Sequence, residues 1–585
     1  MQKMAAGPAR FRFGAYEVDV RAGELRKHGF KIKLQDQPLQ VLVMLLLRRG
    51  ELVTREEFRE QLWPSEFVDF DHGLNTAVAR LREALGDAAE NPRFIETVAK
   101  RGYRFIGSPA LQGDGATRAS RTMLAVLPFE NLSAKPDEEY FADGLTEEMI
   151  ARLGRIAPEK LGVIARVSAM QYKGTLKAAS EIGGELGVDF IVESSVRRAG
   201  DRVRIVAKLI SVSDQSNVWG QDYDRTMGVE DILGIQSDVA SRIAQALALQ
   251  LLPSQKQGME RSAPRSAAAY EAFLKGRHCW NKRTEEWFHK ALEYFQTATE
   301  KDPDYAPAYV GVADVHNVRG LYGYVQPRES YEQAKAASQK ALQLDESLAE
   351  AHTSLAYATF LYGWNWAEAE KEFRLAQSLN PNYVPAQYWY AQFLSSMGRF
   401  DEAEERIRKA LELDPVSMVT SSHCGWMLYF ARRYDESIER LRRALEIEPA
   451  FPLARYFLGM AYAQKKMYRE AIVELKEAAD TTGHPAVRAM ADFSQALMKS
   501  KAEARRAKKG VEEAARKSYV SSYILALVAL GMGDQDEALD YLEKTYEERS
   551  PWITNLGVEP ALDSLAPHPR FQELLKRVGL TRKTG

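Results

Sequence analysis

The chain has 585 residues, with 79 Lys and Arg against 81 Asp and Glu, a formal net charge of −2 and 45% hydrophobic residues. That length exceeds the ~100–200 residues of one domain and predicts several, while the balanced global charge excludes any argument for or against nucleic acid except from local charge. Two cysteines, Cys279 and Cys424, stand far apart, which excludes a disulfide framework or a cysteine-based metal site and fits a reducing cytosol.

The first residues, MQKMAAGPARFRFG, lack the apolar core of a signal peptide. The longest apolar runs, 41–47 and 524–530, fall short of the ~20 residues a membrane helix needs. A cytoplasmic protein with no membrane segment is expected. Residues 11–20 alternate and end in a turn at Arg21-Ala22-Gly23-Glu24; residues 25–34 contain a second turn at His28-Gly29. Both read as short antiparallel strands. Residues 37–47 form a helix with Pro38 early, where its missing N–H costs nothing, and Val41, Leu42, Leu45 and Leu46 supply its buried face. Thr54-Arg55-Glu56-Glu57 has capping-box spacing and starts a second helix, which runs to Trp63 and is stopped by Pro64.

In the next helix Leu74, Val78, Leu81 and Leu85 fall at i, i+4, i+7 and i+11, one apolar stripe. The opposite face carries His72, Thr76, Ala79 and Arg80, with Asn75 and Arg82 on its flanks, small and polar first and basic after. Gly86 is a C-terminal stop. Two β-like runs, 94–98 and 103–106, are joined by Ala99-Lys100-Arg101-Gly102, a hairpin with a basic tip.

Strands, three helices and a C-terminal hairpin in that order resemble the OmpR/PhoB-type winged-helix family over residues 8–108. The motifs that carry the resemblance are Leu81-Arg82-Glu83-Ala84-Leu85 and Glu96-Thr97-Val98-Ala99-Lys100-Arg101-Gly102-Tyr103-Arg104-Phe105. The resemblance implies a winged helix-turn-helix (α+β) that binds double-stranded DNA, with the third helix in the major groove and the wing tip in the adjacent minor groove. It implies base-facing positions at His72, Asn75, Thr76 and Arg80, with Arg82 beside them. It implies phosphate or minor-groove contacts from Thr97, Lys100 and Arg101, with Thr54 and Arg55 near the backbone. The physics agrees: the major groove admits one helix, Asn and Arg match adenine and guanine edges, and basic wing residues neutralise phosphate. Against it, residues 8–108 hold 17 Lys and Arg and 15 Asp and Glu, only +2. Glu83 must lie beyond the groove, and Thr54 reads better as a helix cap than as a contact. The plain alternative is solvated charge on an ordinary three-helix protein. The family often pairs this domain with a phosphorylatable receiver; nothing in this chain reads as one, so aspartyl phosphorylation is not expected to gate it.

Residues 109–120 are expected to be a linker, Gly-, Ala- and Ser-rich from 111 on. From 121 to 255 the pattern runs strand 123–129, helix 140–156 beginning near Asp143 or Thr146, strand 161–165, helix 178–186, a hairpin of 189–198 and 202–212, strand 217–223 and a long amphipathic helix 232–252. This is an α/β domain with a mixed sheet. Ala125-Val126-Leu127-Pro128-Phe129, Phe141-Ala142-Asp143-Gly144-Leu145-Thr146-Glu147 and Val218-Trp219-Gly220-Gln221-Asp222-Tyr223 resemble the TolB-like domain that precedes tetratricopeptide arrays in some bacterial regulators and cyclase-associated proteins. That resemblance implies sensing or interaction rather than catalysis. Asp143, Glu147 and Glu148 are candidate metal ligands, yet Thr146-Glu147-Glu148 reads better as the acidic first turn of a helix. Gly183-Gly184-Glu185-Leu186-Gly187 matches neither a dinucleotide nor a phosphate loop. No GxSxG occurs and no His stands between 120 and 277, which excludes a His-based triad within this domain. No catalytic residue, metal or cofactor is expected, and the chain is read as no enzyme.

Pro381, Pro415 and Pro449 recur 34 residues apart, each after the same frame: Ala369, Phe373, Ala376; Ala403, Ile407, Ala410; Ser437, Leu441, Ala444. Ala471, Leu475 and Ala478 continue it, Ala291, Phe295 and Ala298 precede it, and Ala538 and Leu542 return to it. Small residues where two helices touch, larger ones between, and Pro ending the second helix are the tetratricopeptide pattern. An all-α solenoid of seven or eight units is expected over 265–585, degenerate at 485–518. Such arrays bind proteins or peptides on a concave face. Tyr388, Trp389, Trp426 and Tyr456, on first helices, are candidate partner contacts, with intra-repeat core as the plain alternative; Trp364 and Trp366 mark a rim. The charge-rich stretch 499–517 reads as a solvated helix face.

The whole is therefore expected to be a multidomain, sequence-specific, one-component transcriptional regulator. Its middle domain and repeats act as sensor and interaction module, and two protomers, a homodimer on DNA, occupy two half-sites. The alternative is a tetratricopeptide scaffold whose winged helix contacts protein rather than DNA.

Overall fold

The computed structural model describes residues 10–582 except 14–15, 21–22, 28–29, 33, 49, 64–69, 86, 88–91, 93, 99–100, 107–109, 113–120, 134–137, 200–201, 227–228, 248–263, 483–490, 492–500 and 518. Residues up to 120 and residues from 121 onward form two units, each with its own hydrophobic core. Among the described residues no helix is long and apolar enough to cross a membrane.

The first unit opens with β1 (Arg10–Phe13), β2 (Tyr16–Asp19), β3 (Glu24–Lys27) and β4 (Phe30–Ile32), an antiparallel meander. Phe11, Tyr16, Val18 and Leu25 are buried, as one apolar face of a two-sided sheet requires. α1 (Asp36–Leu47) buries Val41, Leu42, Leu45 and Leu46. β5 (Leu52–Thr54), α2 (Arg55–Leu62) and α3 (Phe70–Leu85) follow, then the hairpin β6 (Ile95–Val98) and β7 (Gly102–Phe105). β5, β7 and β6 form a second, three-stranded sheet in that order. A short β8 (Ala110–Gln112) pairs with β1 and completes a five-stranded sheet. These three residues fall inside the stretch expected as linker; a strand this short leaves no alternation to read.

The second unit starts with β9 (Thr122–Val126), β10 (Glu130–Asn131), α4 (Glu139–Arg155), β11 (Leu161–Val163), α5 (Arg166–Met170) and α6 (Ala179–Leu186). β12 (Phe190–Ala199), β13 (Arg202–Ser211), β14 (Asn217–Thr226) and α7 (Val229–Ala246) complete the α/β domain. Its mixed sheet has the order β11-β9-β12-β13-β14, parallel on one side of β12 and antiparallel on the other. α4 begins at Glu139, so Thr146-Glu147-Glu148 lies in its interior and not in an acidic first turn. Gly144 lets α4 pack tightly on the helix Ala267–Trp280, since a Cβ there would stand 2.6 Å from Leu274 Cδ2.

Helical hairpins then run from Ala267–Trp280 to Tyr468–Thr482, six in succession, with a seventh at Ser522–Met532 and Gln535–Glu547 among the described residues. The frame residues Ala369, Phe373, Ala376, Ala403, Ile407, Ala410, Ser437, Leu441 and Ala444 are all buried. Two short 3-10 turns, Pro551–Asn555 and Pro560–Leu565, and the helix Pro569–Val578 end the described chain.

Candidate functional site

α3 presents two faces because its apolar residues recur at helical spacing. Leu74, Ala77, Val78, Leu81 and Leu85 are buried, while Asp71, His72, Asn75, Ala79, Arg80 and Glu83 are exposed and Thr76 and Arg82 are half-buried. The exposed polar groups are not equally free. Arg55 donates from Nη1 to Asp71 Oδ1 at 2.5 Å and from Nη2 to Asn75 Oδ1 at 2.8 Å. The Tyr103 hydroxyl donates to the same Asn75 oxygen at 2.8 Å, and the Arg55 guanidinium lies 5.8 Å from the Tyr103 ring. Bidentate reading of adenine needs both the oxygen and the nitrogen of an Asn amide; here the oxygen of Asn75 is engaged by α2 and the wing.

Arg82 is engaged too. Its Nη2 donates to Ile95 O at 2.7 Å and to Thr97 Oγ1 at 2.9 Å, which ties α3 to β6. Thr54 caps α2: its Oγ1 accepts from the Glu57 N–H at 3.3 Å, and its own N–H donates to Glu57 Oε2 at 2.7 Å. The Arg48 guanidinium, then the Thr54 donors, hold the Glu57 carboxyl down at about 2. Arg80 donates to the side-chain oxygen of Gln35 and stays exposed. Arg101 is exposed, and its carbonyl accepts from the Arg55 N–H at 3.1 Å. Lys100, Gly86 and Pro64 lie outside the described residues. Among the described residues, the side chains thus left facing outward are His72, Ala79, Arg80 and the acidic Glu83 on α3 and Arg101 at the wing. At the base of that wing Gly102 has a buried role, since a Cβ would stand 2.0 Å from Val53 O.

The second unit holds a feature that sequence pattern did not show: the α/β domain is docked on the first helices and inter-repeat turns of the array. Asn382 Nδ2 donates to Gly154 O at 2.7 Å and to Leu161 O at 3.0 Å. The Ser168 hydroxyl and N–H donate to Asp414 Oδ1 at 2.8 and 3.1 Å, and the Ala165 N–H donates to Leu413 O at 2.7 Å. Arg155 pairs with Glu350 at 2.9 Å. Two of the candidate metal ligands, Glu147 and Asp143, serve this seam, while burial pushes the third, Glu148, up from its ordinary range. Glu147 faces Arg166 at 3.3 Å and also Arg277; Asp143 is 2.5 Å from Lys173 Nζ and 3.3 Å from His278 Nδ1. Burial pushes the Glu147 carboxyl up, but Arg277 and Arg166 more than offset it and hold it below its ordinary range. Among the described residues no cluster of His, Cys, Asp and Glu is arranged to hold a metal.

The first-helix aromatics are largely taken up within the chain. Tyr388, Trp389 and Trp426 are buried and Tyr456 half-buried. Trp389 stacks on Tyr357 at 4.2 Å and Tyr388 packs on His423 at 4.4 Å. Trp426 stacks on Phe457 at 4.6 Å, and both it and Tyr456 lie about 6 Å from Trp552 of the returning C-terminal segment. That segment is fastened by Glu559, whose carboxylate accepts from Tyr429 Oη at 2.5 Å and Tyr523 Oη at 3.1 Å. Trp364 and Trp366, read as a rim, are half-buried: Trp364 packs on Tyr546, and the Trp366 indole N–H donates to Val578 O at 3.1 Å.

Comparison with known proteins follows this layout. Residues 29–105 match the family described as the C-terminal domain of transcriptional regulatory proteins. Residues 120–241 match the second domain of HilA/YgeH-like transcriptional regulators, and residues 365–419 and 431–492 match tetratricopeptide repeats. The chain is similar to a protein of Rhizobium meliloti (strain 1021) that bears an adenylate cyclase name, 32% identical over 41% of this chain and 40% of that one. It is similar to the transcriptional regulator HilA of Salmonella typhimurium (strain LT2), 22% identical over 65% of this chain and 66% of HilA. It thus spans less than two thirds of the length of either. Among solved structures it is similar to YrrB, a TPR protein with an unusual peptide-binding site, at 22% identity over 34% of this chain and 96% of that one, with a TM-score of 0.23. The chain therefore joins, in order, the winged-helix domain of OmpR/PhoB-type transcriptional regulators, the second domain of HilA-like regulators and an array of tetratricopeptide repeats.

Proposed function

We propose that the protein is a DNA-binding transcriptional regulator of the one-component type, acting in the cytoplasm. The observation that carries this reading is the outward ridge of His72, Ala79 and Arg80 on α3, with the exposed Glu83 at its far end beyond the groove and an exposed Arg101 at the wing, in a domain that matches transcriptional regulators. A helix with one small and one long basic side chain facing out can enter the major groove and reach guanine with Arg80. Lys100 and Arg101 take phosphate. Asn75, Arg82, Thr97 and Arg55 hold the helix against the wing and set its angle, while Thr54 caps α2 and Thr76 lines the approach.

In this reading residues 8–108 bind DNA, and residues 121–255 with 265–585 form one sensing and interaction body, because the α/β domain and the array share a core. A protein or peptide on the first-helix face has to displace the segment around Trp552. Two protomers on paired half-sites raise affinity through effective concentration. No catalytic step is assigned; cyclic-nucleotide production from ATP by the full chain would overturn that part.

The test is binding to a selected pool of duplexes by the full chain and by residues 1–120. Salt-dependent retention is expected. Arg80→Ala should weaken the selected site about tenfold or more and relax specificity at one position, and Lys100→Ala with Arg101→Ala should lower the salt slope by about 2. Retention of no duplex would remove the reading and leave the protein-contacting scaffold.

A further inference from the structure

Two cavities, of about 230 and 460 Å³, adjoin where the α/β domain meets the array. They share Arg166, Val167, Asn281, Arg283 and Val419 as a common wall. The larger one is bounded by α5, by the turns at 281–285 and 322–324 of the first two repeats, and, across the hollow, by the helix Pro452–Gln464 and Trp552. Its interior is mainly apolar and aromatic, with Met170, Met418, Phe451, Leu453, Tyr456 and Trp552 facing it. Its volume lies within the ~300–1,000 Å³ of small-molecule sites.

The charges around it differ in one respect. Arg166 is committed, 3.3 Å from Glu147 and 3.9 Å from Asp143. Lys282, Glu285 and Glu448 are exposed. Arg283 is half-buried at the shared wall, and among the described residues no carboxylate stands within ion-pair distance of it; its guanidinium rests 4.1 Å from the Trp280 ring. A partly desolvated guanidinium offers a planar fork of donors that matches a carboxylate. The apolar walls favour a ligand whose remainder leaves water.

We propose that this hollow binds a small organic acid with an apolar or aromatic body, its carboxylate on Arg283 and its body between α5, Leu453 and Trp552. A cation would meet Arg283 unfavourably. Because the walls come from the α/β domain, the early repeats and the returning C-terminal segment, an occupied site ties all three together. The proposal supplies a ligand class for the sensing body of the regulator proposed above and rests on that reading only for its biological consequence. Its measurement involves no DNA, so either can fail alone.

The experiment is calorimetric titration of the full chain with decanoate, trans-cinnamate and decan-1-ol. One acid per chain is expected, bound at least about tenfold tighter than the alcohol. Arg283→Gln should weaken the acids about tenfold and leave the alcohol unchanged, whereas Arg283→Lys should retain most of the affinity. Leu453→Trp, which fills the hollow, should abolish binding of all three. Thermal melts of each variant establish that it folds. Binding of neither acid, equal binding of acid and alcohol, or acid binding untouched by Arg283→Gln would each overturn the proposal.

Discussion

Arg80 and Arg82 are two residues apart on one helix, yet α3 assigns them different work. Arg82 holds Ile95 O and Thr97, while Arg80 faces outward and donates to Gln35. Arg82→Ala should therefore lower the stability of the first unit by about 1–2 kcal/mol, because it removes charged hydrogen bonds to a strand, and should weaken all duplexes alike. Arg80→Ala should leave the melting temperature of residues 1–120 unchanged and weaken the selected duplex alone. Melting followed by circular dichroism, paired with a binding titration, separates the two. In the array, Lys466 is exposed with φ of 61° in the turn between two helices, a place that Gly398 fills in another repeat. A non-glycine residue in that region is strained, so Lys466→Gly should raise the stability of the second unit by about 0.5–1 kcal/mol, read as a higher denaturation midpoint.

At the scale of elements, the wing depends on how closely β7 approaches β5. With a Cβ only 2.0 Å from Val53 O, Gly102→Ala must push the two strands apart. The cost should be about 3 kcal/mol or more, seen as loss of cooperative unfolding in residues 1–120. The second helix depends on its capping box. Thr54→Ala should cost about 1 kcal/mol. Glu57 titrates at about 2 in the folded unit instead of at its ordinary 4.5, so it binds its proton less readily folded than unfolded. Its contribution is present above pH 4.5 and is lost as pH falls toward 2. Thr54→Ala should flatten that part of the acid-unfolding curve, which a pH series of melts measures.

Across the whole second unit, docking of the α/β domain concentrates charge in a buried seam. Asp314 on the helix Ala306–Leu321 accepts from the Ser354 hydroxyl and lies 3.8 Å from Arg277, yet burial pushes its carboxyl up to about 6 from an ordinary 3.8. A carboxyl that holds its proton more tightly when folded loses stability as pH rises from about 4 to 6 and stays penalised above that. Asp314→Asn should therefore raise the melting temperature at pH 7.5, and the gain should shrink as pH falls below 5. An equal gain at both values would show that Asp314 carries no such penalty.

The fold class and the order of the three parts were legible in the amino-acid sequence because they rest on local repetition. The stripe Leu74, Val78, Leu81, Leu85 and the 34-residue frame of Ala, Phe and Pro each need only a few neighbouring turns to be recognised, and the stripe and the Ala and Phe of the frame are buried in the structure. Which side chains are free to meet a ligand was not legible. Asn75 and Arg82 read as surface groups until Tyr103 and Thr97 arrive from the wing. Asp414, Asn382 and Glu559 carry no signal in the sequence pattern, and their partners stand 130 to 246 positions away. The first-helix aromatics read as candidate partner contacts or as intra-repeat core until Tyr357, His423, Phe457 and the Trp552 segment pack against them. Hydrophobic periodicity is a property of one segment, whereas the pairing of buried polar groups is a property of two, and only the tertiary structure decides which two meet.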